Sequence, residues 1–324
     1  MKRFEQLDGL RGLAAMFVLA FHYLHEYPSR FGNGLINEQV IFGKYGVDLF
    51  FVISGFVILF SVEKQGVVDF AVSRFCRLFP TYWIGCIFTF GVMSFSQLDL
   101  SYGFENFLVN LTMLQAFLGY EHVDGSYWTL TYELVFYCYA FSIFGFNRDN
   151  FNKKCFFLIS IQIFIVLFER YYNIPHFLIA GTLSHYLHLF ILGMVINKKD
   201  ELERKQYLIL LIFLGFASFI INGLEGAAVF LFCYALVLNA ANGKLKLLSS
   251  RIFVYLGGMS YSLYIIHQYA GYHILKVMES NNFDQFVSVF ATTLTMFIIS
   301  SVIYELIDCR LSPKLRKTIK KALK

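Results

Sequence analysis

The chain reads as long apolar runs separated by short polar breaks, and the runs are longer than the elements of a water-soluble core require. A bilayer core about 30 Å thick asks for about 20 mostly apolar residues per helix. With that ruler the pattern predicts ten spans, at roughly 8–25, 46–63, 80–97, 126–146, 155–170, 176–196, 206–222, 225–241, 254–274 and 285–308. Little more than Gly223 and Leu224 separates the seventh and eighth. A further apolar stretch, 106–119, holds Asn106, Asn110 and Gln115 and is read as a partly buried outer loop or re-entrant helix. The segment VVDFAVSRFCRLFP, 67–80, is expected to be a short interfacial helix ending at Pro80, the first residue of the third span.

Composition narrows the class. Hydrophobic residues make up 57% of the 324 and charged residues only 15%, with a mean hydropathy of +0.59. An average soluble domain carries about 25% charged residues, so soluble, disordered and fibrous classes are excluded. Aromatics reach 19% while Pro is only 4, a mixture suited to long helices and poor for turn-rich β architecture. The expected fold is an all-α polytopic membrane bundle.

The placement of charge orients it. All but five of the 27 basic residues fall at the termini or in alternate loops; the exceptions are Arg11 inside the first span and Arg30, Lys44, Arg170 and Lys276 on the other side. By the positive-inside rule both termini face the cytoplasm. The net charge of +5 thus reflects cytoplasmic rims, and the basic tail is expected to meet anionic lipid head groups rather than nucleic acid. The expected organisation is one membrane domain, 1–310, followed by a basic tail, 311–324, with no cleavable leader. The six cysteines form no CxxC pair and read as reduced core thiols. His185 and His188 lack a nearby third ligand in sequence, so no metal is expected.

Ionisable groups inside a span are costly and mark candidate chemistry. Arg11 and His22 lie eleven residues apart in the first span, about 20° past three full turns and about 16 Å along the axis, so they share one face. Gly9, Gly12, Ala14 and Ala15 keep that helix slim, which admits either a neighbouring helix or an extended ligand. A rim arginine paired with Asp8 is the competing reading of Arg11, and a histidine bonded to a backbone carbonyl that of His22. By helix rise His22, Asp48, Glu133 and His267 fall at matching depth in the outer half, where a histidine with a carboxylate partner suits general-base work. A structural polar network is the alternative. Arg74 and Arg77, at i,i+3, project together at the inner rim and suit either phosphates or lipid head groups. The outer loop 97–125 has Asp99, Glu105, Glu121 and Asp124 and no Lys or Arg; it could suit a neutral or polyhydroxyl substrate, and is read first as a solvated face.

These residues resemble the signatures of the membrane acyltransferase 3 family, in which an arginine and a histidine are separated by ten residues, here Arg11 and His22. Further matches follow in family order: GVDLFFVISGF from Gly46, RFCRLFPTYW from Arg74, YWTLTYELVFY from Tyr127 and GMSYSLYIIHQ from Gly258. Thr129 stands where the family more often has Ser. The resemblance implies an integral membrane O-acyltransferase that moves an acyl group, commonly acetyl from acetyl-CoA, to a hydroxyl of a carbohydrate, often a cell-envelope or exported glycan, in a bacterial inner membrane. It implies His22 as the catalytic histidine, Arg11 as its companion and a donor contact, Arg74 and Arg77 as donor-binding residues, and Asp48 and Glu133 as polar motif positions of the catalytic set. On that view the pantetheine arm runs along the Gly12, Ala15 face. A transporter or lipid-linked sugar flippase is the alternative class; no discontinuous segments are visible in the sequence to support it.

Overall fold

The computed structural model describes residues 4–32, 34–96, 98, 100, 103–145 and 149–323. Among them every regular element is helical. Seven helices are long and apolar enough to cross a membrane: Glu5–Arg30, Glu38–Lys64, Val67–Met93, Phe151–Glu169, Phe177–Asn197, Arg204–Ala241 and Gln285–Ala322. Of the residues used above to orient the chain or describe its outer loop, Lys2, Arg3, Gln97, Asp99, Arg148 and Lys324 lie outside the described residues.

Four expected segments differ from the pattern for identifiable reasons. The seventh and eighth spans form one run, Arg204–Ala241, but Asn222 (φ −127°, ψ 16°) and Gly223 (φ 64°, ψ −149°) leave the helical region inside it. Tyr207 Oη lies 3.2 Å from Tyr234 Oη, and Ser218 Oγ donates to Gly226 O at 2.9 Å, so the two halves double back as a hairpin whose tip needs the left-handed backbone of Gly223. The interfacial segment does not stop at Pro80; it continues as one helix, Val67–Met93. The proline deprives Cys76 O of its helical donor, yet the helix runs on past it; two residues further along, Tyr261 Oη donates to Leu78 O at 3.0 Å. The stretch 126–146 is helical as Trp128–Tyr139 and then a π-helix, Ala140–Gly145, and is not one of the seven. The ninth span is interrupted at His267, between helices Arg251–Ile266 and Gln268–Ser280.

The chain divides into two compact units. One comprises Met1–Leu7, Val47–Phe70 and Thr129–Leu248. Its core is aromatic: Phe136 stacks on Phe190 at 4.0 Å, and Phe51 packs on Phe190 at 4.7 Å. Two glycines set the closest helix approach. A Cβ on Gly55 would lie 1.9 Å from Phe190 O, and one on Gly193 would lie 1.9 Å from Val52 O. Where apolar tails surround the helices, burial drives little association, so this backbone-to-backbone packing holds the pair.

The other unit comprises Asp8–Gly46, Ala71–Trp128 and Ser249–Lys324. Here too small residues face each other: a Cβ on Gly12 would be 2.7 Å from Gly257 N, and one on Gly257 1.8 Å from Asp8 O. The slim Gly12 face therefore receives a helix, not a ligand arm. The stretch 106–119 forms two short helices, Phe104–Asn110 and Gln115–Leu118, held by buried Asn110, whose amide donates to Asn106 O and Glu121 O at 2.8 Å each. The end of the same loop corrects the solvated-face reading, because Asp124 is fully buried. Its Oδ1 accepts from Ser126 N at 2.9 Å and Ser126 Oγ at 2.6 Å, and its Oδ2 accepts from Tyr269 N at 3.0 Å. Tyr269 N–H would bond Ile265 O in a continuous helix, so a side chain inserted into the ladder breaks the helix beside His267. Burial pushes the Asp124 carboxyl up to about 6, with the Ser126 and Tyr269 hydrogen bonds opposing. The C-terminal end, Ser312–Ala322, is an amphipathic helix with Leu315 and Ile319 half-buried and Lys314, Lys317 and Lys321 exposed.

Two predictions follow from this packing. Gly55→Ala is expected to destabilise the first unit by about 1–3 kcal/mol through forced overpacking, read as a lower thermal midpoint in detergent; an unchanged midpoint contradicts the close approach. Asp124 holds its proton more tightly in the folded chain than at the unfolded value of about 3.9, so its contribution is complete below about pH 4 and is lost as pH rises to about 6. The thermal midpoint of the parent is therefore expected to fall relative to that of Asp124→Asn across this window, whereas parallel curves would contradict the buried carboxyl.

Candidate functional site

The first long helix carries the site at its C-terminal end. Glu5–Phe21 is α-helical, and His22–Glu26 then widens to a π-helix whose closing bond runs from Tyr27 N to His22 O. Such i→i+5 turns concentrate at functional sites. The widened turn sets His22 against Glu26, with Nε2 3.2 Å from Glu26 Oε2. Their side chains are 12% and 25% exposed, so the pair is reachable but mostly enclosed. Arg30 Nη1 sits 3.8 Å from the other Glu26 oxygen.

His267 completes the arrangement from the broken helix. Its Nε2 lies 3.2 Å from His22 Nδ1, and the two rings meet edge to face at 4.9 Å. The carbonyl partners assign the protons. His267 Nδ1 lies 2.8 Å from Tyr264 O, and a carbonyl only accepts, so Nδ1 carries the hydrogen and Nε2 is the acceptor. His22 Nδ1 is likewise protonated, because it reaches Val18 O at 2.8 Å. It can share that hydrogen with His267 Nε2. This leaves His22 Nε2 as the one ring nitrogen of the pair that can gain a proton from outside, and it faces a carboxylate that would support the resulting imidazolium. Tyr23 Oη donates to His267 O at 2.7 Å and anchors the break from the same helical stretch as His22. A cavity of about 390 Å³ opens beside this stretch, lined among others by Tyr23, Tyr27, Glu279, Gln285 and Ser288.

At the other end of this unit the two paired arginines have different surroundings. Arg77 Nη1 lies 3.5 Å from Asp308 Oδ1, and its guanidinium sits 5.6 Å from the Tyr261 ring centroid. Asp308 is buried and also accepts from Thr81 Oγ1 and Ser262 Oγ, each at 2.8 Å. Arg77 therefore neutralises a buried carboxylate while remaining a third exposed. Arg74 Nη2 donates to Ser73 Oγ at 3.1 Å.

Of the residues singled out in the sequence, His22, His267, Arg11, Arg74 and Arg77 fall in this unit, and the first two are brought into contact. Asp48 and Glu133 belong to the other unit. There Glu133 accepts from Ser54 Oγ at 3.3 Å and from Tyr137 Oη. His185, in that unit, has a carboxylate neighbour after all, Glu169 Oε2 at 3.1 Å. Sequence reasoning missed three residues. Glu26 is four positions beyond His22 but lies just past the end of the first predicted span. Asp308 stands as a carboxylate at the head of a basic tail, and Asp124 looks like any loop aspartate. The discontinuous helix at His267 had no sequence signal either.

Comparison with known proteins adds an independent line. Residues 4–305 match the acyltransferase domain of the acyltransferase 3 family. The chain is 28% identical over 147 residues to Acyltransferase MdmB of Streptomyces mycarofaciens, a match covering 42% of the chain and 38% of that protein. It is 34% identical over 87 residues to Protein 2 in picA locus of Rhizobium radiobacter, covering 25% of the chain and 41% of that protein. The chain thus spans about two fifths of the length of the curated relatives it matches. No solved structure matches. With a match over nearly its whole length, the chain belongs to the acyltransferase 3 family, and the long apolar helices among its described residues are those of a multi-pass membrane protein.

Proposed function

We propose that this protein transfers an acyl group, acetyl in the first instance, from acyl-CoA at the cytoplasmic face to a hydroxyl of a cell-envelope or exported carbohydrate, with His22 as general base. The observation that carries this reading is the bare Nε2 of His22, held toward Glu26 by a tautomer chain that ends on Tyr264 O. An acceptor hydroxyl placed at Nε2 gives up its proton as its oxygen attacks the thioester carbonyl. The departing CoA thiolate then takes that proton back. Direct attack by His22 Nε2 to form an acyl-histidine uses the same free lone pair.

The cavity beside Tyr23 and Tyr27 is of a size and mixed aromatic and hydrogen-bonding character that suits a sugar ring. Arg74 and Arg77 are the proposed contacts for the donor phosphates, with Asp308 fixing the Arg77 fork, and Arg11 assists from the first helix. Asp48 and Glu133 are proposed as polar residues that the reaction requires. The topology that fits this reading has ten spans, both termini in the cytoplasm and a bacterial inner membrane as its setting. The basic C-terminal helix lies on anionic lipid, and neither a metal nor nucleic acid takes part. Such an arrangement joins a donor made inside the cell to acceptors outside it.

His22→Ala is expected to abolish transfer of radiolabel from acetyl-CoA into the glycans of membranes that contain the protein, while leaving its amount and thermal midpoint unchanged. Label at the parent level in this variant would end the general-base reading. Arg74→Gln is expected to raise the donor KM about tenfold with little change in kcat, the loss of one charge-assisted contact to phosphate. A donor KM equal to that of the parent would assign Arg74 to the lipid rim instead.

A further inference from the structure

Acyl transfer through a tetrahedral intermediate needs more than a base. Negative charge develops on the acyl oxygen, and donors prepositioned for it often supply the largest single stabilising contribution. The residues considered so far offer a base, a carboxylate and phosphate contacts, but no donor for that oxygen near His22.

Tyr272 has the required properties. It sits on the helix Gln268–Ser280, one turn after the break, outside the sequence motifs quoted above. Its side chain is fully buried. Its ring centroid is 6.3 Å from that of His22, and packing against Tyr27 at 5.5 Å, Phe31 at 5.7 Å and Tyr269 at 6.1 Å fixes its direction. Its hydroxyl neighbours the Glu26 carboxylate and the Gln268 amide without an ordinary hydrogen bond to either. A buried hydroxyl left in that state is costly, whereas phenylalanine would fill the same space without the cost. Packing alone therefore does not account for the oxygen atom, and its place beside the Glu26 carboxylate that faces His22 Nε2 does.

We infer that Tyr272 is a catalytic residue whose hydroxyl donates to the oxyanion formed on the acyl carbonyl. The inference rests on the acyltransferase reading with His22 as base. As the acceptor oxygen bonds to the thioester carbon, its proton moves to His22 Nε2 and the carbonyl π pair moves onto the acyl oxygen, where the Tyr272 O–H meets it. Collapse of the intermediate restores the carbonyl and breaks the C–S bond, and the thiolate leaves with the proton from Nε2. The group transferred is thus the acyl group of a thioester, and Tyr272 binds its carbonyl oxygen more strongly in the transition state than in the ground state.

Tyr272→Phe separates this role from a structural one. With radiolabelled acetyl-CoA as donor and the glycans of the host membrane as acceptor, the variant is expected to lose about a hundredfold in kcat at an unchanged donor KM. Its thermal midpoint is expected to stay level or rise, because a buried hydroxyl without an ordinary partner has been removed. A kcat within a few-fold of the parent overturns the inference, and so does a loss of activity that comes with a lower midpoint. Measured alongside, inactive His22→Ala with fully active Tyr272→Phe overturns the Tyr272 role alone, whereas full activity of His22→Ala overturns the base reading and the Tyr272 role together.

Discussion

In an apolar surrounding no water waits to satisfy a polar group, so each one placed there must find its partner within the protein. The site depends on how that constraint is met around the first helix. His22 spends its Nδ1 hydrogen on Val18 O and His267, and His267 spends its own on Tyr264 O. Once both donors are committed to acceptors that cannot reverse, only one orientation of the protons is left, and reactivity is confined to Nε2 of His22. The same rule governs Asp124. A carboxylate buried at the end of a loop has to find donors, and it takes one of them from the helix ladder at Tyr269, which creates the break on which His267 sits.

The rule also reshapes the basic rim of this unit. Two arginines on one helical face look equivalent from their spacing. In the fold Asp308, with Thr81 and Ser262, claims Arg77 and ties it to the π-helical turn Tyr304–Leu311. A buried ion pair of this kind adds little net stability, but it sets a guanidinium in one orientation, and that is what recognition of a phosphate requires. Loss of Arg77 would leave the Asp308 carboxylate buried and uncompensated.

Close helix approach is the second device. Gly55 with Gly193 in one unit, and Gly12 with Gly257 in the other, bring backbone against backbone where bulk apolar side chains would keep helices apart. The sequence already marked Gly12 as a slim position open to a helix or a ligand. Packing decided for the helix, because the backbone of Asp8 lies where a Gly257 side chain would be.

By itself the sequence determined the helical membrane class and the family, since each is written in local periodicity, composition or short motifs. It also located the hairpin tip at Gly223, since a left-handed backbone calls for glycine. Helix continuity and partnership were decided by tertiary structure. Pro80 sits inside a helix that continues on both sides of it, the ninth span breaks because Asp124 reaches it from 145 residues away, and His22 meets His267 across 245 residues. Hydropathy measures only whether a segment prefers lipid to water. Which nitrogen is left bare and which carboxylate faces it depend on hydrogen bonds between distant segments, and these exist only once the helices have packed.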